Sequence, residues 1–118
     1  MTDHATFTLR EERNALVVDI HGELDISNHE QFRSFLRSGA GTSTAPMIVN
    51  LDGVGYLDSH AIAALAELSK RLSTNRRRLF IVARKEGPIG RILNTSNLGL
   101  AIPMCESLED ALLRTRGV

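Results

Sequence analysis

The chain has 118 residues, 42% of them hydrophobic and 4% aromatic, with 14 basic and 14 acidic side chains. That apolar content suits one domain with one core and is too high for disorder. The balanced charge lacks the field of a direct nucleic-acid binder, the few aromatics leave little for base stacking, and no apolar run approaches the roughly 20 residues of a membrane span.

Thr6 to Arg10 alternates, with Phe7 and Leu9 on one face, and Ala15 to Ile20 is a β-branched run; Asn14 turns the chain between them. This spacing predicts an opening hairpin, with Gly22 ending its second strand. Ser27-Asn28-His29-Glu30 has the S-x-x-E spacing of a capping box. A helix carrying Phe32, Phe35 and Leu36 follows, stopped by Gly39. Residues 38–46 read as a flexible link. Met47 to Leu51 is nearly continuous apolar sequence, as in a strand buried on both faces. Gly53 and Gly55 read as turn residues.

The next helix follows Ser59 and sets Ile62, Leu65, Leu68 and Leu72 on one side, with Lys70 and Arg71 near its end, as the helix dipole prefers. Arg76-Arg77-Arg78 reads as a solvated turn. Leu79 to Ala83 is another buried strand, Pro88 opens a helix carrying Ile89, Ile92 and Leu93, and Leu100 to Ile102 reads as a short last strand. Ser107 caps a final helix through Leu113. Strands alternating with helices call for an α/β sandwich: a mostly parallel five-stranded sheet, an initial β-hairpin and four helices, in a single domain over 1–118. Cys105, the lone cysteine, excludes an internal disulfide and a cysteine-based zinc site; it reads as a buried small apolar residue. It suits a reducing compartment, and the polar start Met1 to His4 lacks a signal-peptide core, so a cytoplasmic location is expected.

The chemistry-bearing stretch is Asp58-Ser59-His60, where a strand gives way to a helix. A catalytic triad is defined by geometry, and neighbouring side chains at a helix start diverge. The Gly-x-Ser-x-Gly elbow is absent, since Leu57 and Ala61 stand two residues either side of Ser59. Gly87-Pro88-Ile89-Gly90 lacks the further glycine and lysine of a phosphate-cradling loop. His4, His21, His29 and His60 include no i, i+4 metal pair. His21 and His60 are the histidines read as able to converge, and both read as polar surface. No catalytic residue, cofactor or metal is therefore assigned, and the chain is not read as an enzyme. A receiver domain is also excluded, because Pro103-Met104-Cys105 stands where its lysine would follow the last strand. Ser59 as an N-cap, contributing about 1 kcal/mol, is the purely structural reading.

"GELDIS" at 22–27, "IVNLDGVGYLDSHAIAAL" at 48–65 and "SNLGLAIPMCESLEDAL" at 96–112 together resemble the STAS domains, the anti-sigma factor antagonists. The resemblance spans nearly the whole chain. It implies a protein that binds an anti-sigma factor and so frees a sigma factor. It implies that the anti-sigma factor is a serine kinase of the histidine-kinase-like ATPase class, that Ser59 is the residue phosphorylated to force release, and that a PP2C-type phosphatase resets the switch. Asp25 corresponds to a residue that helps contact the kinase. The implied interface takes in Asp25, Ser27, Asn28, Asp58 and His60. His60 and Ala61 stand where the family often has Ser or Thr and then Gly, which would put a methyl group in the path of an approaching kinase. Some stressosome-type members also lack that glycine, so a stressosome-type scaffold component, or a non-phosphorylated relative, is the alternative.

Overall fold

A computed structural model describes residues 5–116, so the polar start at Met1 to His4 lies outside the described residues. Strand β1 (Thr6–Glu12) runs antiparallel to β2 (Ala15–Leu24). The two-residue link, Arg13 and Asn14, has φ of 49° and 67°, the doubly left-handed geometry of a tight hairpin turn. Then come α1 (His29–Ala40), β3 (Met47–Leu57), α2 (Ser59–Thr74), β4 (Leu79–Val82), α3 (Pro88–Thr95), β5 (Met104–Cys105) and α4 (Leu108–Thr115). The sheet order is β1-β2-β3-β4-β5, and every pair after the first is parallel.

Alternation along the strands divides the core into two layers. Leu16, Val18, Ile20, Met47, Val49, Leu79 and Ile81 face one way, against α1, α2 and α3. Ala15, Val17, Ile48, Phe80 and Val82 face the other, against Ala111 and Leu112 of α4. Phe7 of β1 reaches the first layer and packs on Phe32 and Phe35, with ring centroids 5.9 and 5.4 Å apart. The fold is thus the expected α/β sandwich. Cys105 is buried, as expected, and its desolvation raises the thiol pKa. Ser107 caps α4 by accepting a hydrogen bond from the Asp110 N–H.

Several local expectations are corrected. Gly22, with φ 107°, does not end β2: the strand runs on to Leu24 through two register shifts. Gly39 lies inside α1, which closes at Gly41. Gly53 and Gly55 are not turn residues; β3 passes through both because its far half pairs with the end of β2. The His21 imidazole lies over Gly53, in the space that a side chain there would fill. Leu100–Ile102 is not a strand. Leu98–Leu100 form a 3₁₀ turn, Leu100 is exposed, and the last strand is the two-residue β5. Arg77 is not a solvated turn residue. Its guanidinium donates to Ala40 O at 2.8 Å and to Ala45 O at 2.7 and 3.0 Å; of the 38–46 link expected to be flexible, residues 38–40 belong to α1 and the rest is tied down by these bonds. Burial presses its pKa below the ordinary arginine value.

Candidate functional site

The parallel strands β2 and β3 end on the same edge of the sheet, so α1 and α2 start side by side there. At the α2 start Asp58, not Ser59, is the N-cap. Its backbone is extended, and its Oδ1 accepts hydrogen bonds from the N–H groups of His60 at 2.9 Å and Ala61 at 3.3 Å. The Asp58 N–H donates to Leu24 O, which ties this cap to the end of β2. Ser59 is the first helical residue. It is exposed, and its hydroxyl makes no hydrogen bond among the described residues. Ala61 is 1% exposed and packs inward, so its methyl group does not stand in the path of an approaching kinase.

The β2–α1 loop is built differently. Asp25 Oδ1 accepts from the Ser27 N–H at 2.9 Å and from the Ser27 hydroxyl at 2.6 Å. These two bonds, the hydroxyl first, hold the Asp25 pKa below the usual carboxylate value. Ser27 therefore does not form the expected capping box. Asn28 occupies the N-cap position without a side-chain cap bond. Its amide instead accepts from the Asp25 N–H at 3.1 Å and donates to Glu23 O at 2.9 Å. Asn28 is 7% exposed and holds the loop from within.

The structure thus brings Asp25, Asp58, Ser59 and His60 to one edge. It adds groups that the sequence reading missed. His29 stacks on His60 with ring centroids 4.7 Å apart and planes inclined at 37°. His60 Nδ1 lies 3.4 Å from Asp58 Oδ2. The histidine that meets His60 is therefore His29 and not His21, which lies against Gly53 on β3. Ile26 is 66% exposed at the loop tip, and Tyr56, two residues before the cap, is 46% exposed. No sequence signal singled them out, because single exposed apolar side chains are common on protein surfaces. Among the described residues no cluster of three or more His, Cys, Asp or Glu has metal-binding geometry, and no helix is long and apolar enough to cross a membrane.

Comparison with known proteins agrees in fold. The STAS domain model matches residues 6–111. The anti-sigma-F factor antagonist RsfA of Mycobacterium tuberculosis is 26% identical over 110 residues, covering 92% of this chain and 85% of that protein. The crystal structure of an anti-sigma factor antagonist from Mycobacterium paratuberculosis superposes with a TM-score of 0.86 at 22% identity, covering 96% of this chain and 95% of the other. The Bacillus cell fate determinant SpoIIAA in its phosphorylated form superposes with a TM-score of 0.66 at 24% identity, covering 94% of this chain and all of the other.

Proposed function

The chain belongs to the STAS domain family, and on that premise we propose that it is an anti-sigma factor antagonist, a binding protein switched by phosphorylation of Ser59. One observation carries the reading: Ser59 is exposed and its hydroxyl is unengaged, because the neighbouring Asp58 already caps the helix. A modified Ser59 costs the fold no cap. The names of the relatives support the antagonist role, and SpoIIAA, solved in a phosphorylated form, supports the switch.

The partner in this reading is an anti-sigma factor that is a serine kinase of the histidine-kinase-like ATPase class. Its binding by this chain frees a sigma factor. The contact surface comprises Asp25, Ser27, Asp58, Ser59 and His60, with Asn28 shaping the loop and Ile26 and Tyr56 supplying apolar area. Phosphorylation adds about −1.5 to −2 charges at Ser59. The positive end of the α2 dipole tolerates an anion on its first turn, and the Asp58 cap stays in place, so the domain keeps its shape. The interface does not: the new charge stands beside Asp58 and must lose its water on binding. A loss of about 3 kcal/mol lowers affinity on the order of 100-fold. A PP2C-type phosphatase then restores the binding form.

The test is direct. The chain is incubated with an anti-sigma kinase and ATP, and its mass and its affinity for that kinase are measured for wild type, Ser59→Ala and Ser59→Asp. Wild type gains one phosphate, Ser59→Ala gains none, and Ser59→Asp binds on the order of tenfold or more weakly. A wild type that takes up no phosphate, together with a Ser59→Asp variant that binds as well as wild type, ends this reading. Large assemblies in light scattering would instead support the stressosome-type scaffold.

A further inference from the structure

In a chain of zero net charge, the seam between α1 and α2 carries an excess of positive charge. A groove of about 690 Å³ runs along it. Arg33 and Arg37 line it from α1, Lys70 and Arg71 from α2, and Glu67 is the one carboxylate among the lining residues. Glu67 is already engaged by Arg33 at 3.1 Å. Arg37, Lys70 and Arg71 have no ion pair and no side-chain hydrogen bond among the described residues. Arg33 Nε is buried and likewise has no partner there. The carbonyl ends of the helices account for one cation each, Arg37 for α1 and Arg71 for α2. They do not account for Lys70, nor for four cations lining one groove.

The shape of the groove selects among anions. Its floor, Leu36, Ala64 and Leu68, is closed, each residue being at most 4% exposed. No aromatic side chain lines it to stack a base, and no glycine-rich backbone faces it to cradle a phosphate. What remains is a shallow, open channel with cations spaced along both banks. From His29 to Arg37 is eight residues of helix, roughly 12 Å at 1.5 Å per residue. An extended chain covers that with about four residues at 3.3 Å each.

We propose that the α1–α2 groove is a docking site for an acidic segment of a protein partner, with carboxylates set between Arg37 on one helix and Lys70 and Arg71 on the other. The groove is contiguous with the Ser59 edge, since Arg33 lies one turn beyond His29 and Ala64 one turn beyond His60. A partner seated at that edge reaches it without a long linker. The assignment does not depend on phosphorylation of Ser59 and stands or falls separately from it.

The experiment uses the full chain and a fluorescein-labelled octapeptide of alternating Glu and Gly, followed by fluorescence anisotropy, with amide chemical shifts to locate it. The peptide binds with shifts centred on residues 33–37 and 67–71. Raising the salt from 50 to 300 mM weakens binding at least fivefold, as exposed charge pairs require. The double variant Arg37→Glu, Arg71→Glu weakens it at least tenfold, with its far-ultraviolet circular dichroism unchanged. If that variant does not fold, Arg37→Gln and Lys70→Gln, each lowering affinity two- to threefold, replace it. Undetectable binding at millimolar protein, or equal affinity in the charge variants, overturns the proposal. So does tighter binding of inorganic tripolyphosphate at the same residues, which would make the groove a small-polyphosphate site.

Discussion

Two serines stand at the starts of two adjacent helices, each close behind an aspartate, and they meet opposite fates. Ser27 donates its hydroxyl to Asp25 at 2.6 Å and is locked into the loop before α1. Ser59 stands free on the first turn of α2, because Asp58 caps the helix through its Oδ1, which accepts from the His60 and Ala61 N–H groups. A hydroxyl can act as a chemical acceptor only where the structure does not already need it. The α1 start is a closed hydrogen-bond network around a buried amide. The α2 start is a capped helix with a spare hydroxyl.

The largest effect expected from breaking this contrast is at Asn28. Replacing it with Ala takes away the hydrogen bonds that its amide gives the Asp25 N–H and the Glu23 carbonyl in a part-buried setting. The cost is about 1–2 kcal/mol, read as a lower urea midpoint at an unchanged slope. A smaller loss, about 1 kcal/mol, is expected for Asp58→Ala, which removes the α2 cap. Ser59→Ala sharpens the contrast: stability stays within about 0.5 kcal/mol of wild type while phosphate uptake is lost. If Ser59→Ala costs as much as Asp58→Ala, the serine is itself a structural cap. The smallest effect is electrostatic. The folded Asp25 carboxylate titrates below its unfolded value, so its stabilisation is present above the unfolded pKa near 3.9 and fades as the pH falls through the lower folded value. Asp25→Asn keeps an acceptor for Ser27 and removes the titration. Its urea midpoint should therefore fall less steeply than that of wild type between pH 4.5 and pH 2.

Much of the fold was legible because apolar alternation and the helix signals agree with each other. The Phe7–Leu9 face, the Met47–Leu51 run and the Ser107 cap needed no tertiary knowledge. What was misread was decided by distant partners. Gly53 looks like a turn until His21 is placed beside it. Arg77 looks like a surface charge until the carbonyls of Ala40 and Ala45 converge on it. The last strand hid behind Pro103, because two residues carry no period, and only pairing with Ile81 and Val82 makes them a strand. At the site, Asp58 and Ser59 exchanged the role of cap, since either side chain can accept from a helix N–H and sequence spacing does not choose between them. His29 was missed as a neighbour of His60 because their meeting depends on two helices starting at one sheet edge.

The strand order β1-β2-β3-β4-β5 has a consequence for how the chain is made. No strand must wait for a later one to fill a gap beside it. As the polypeptide leaves the ribosome, each new strand finds its neighbour already in place, and the sheet grows outward from the hairpin like a wall laid course by course. A nascent fragment ending after β4 already contains every residue of the Asp25 loop and the Ser59 turn, but the sheet face that α4 covers stays open until the last helix is made.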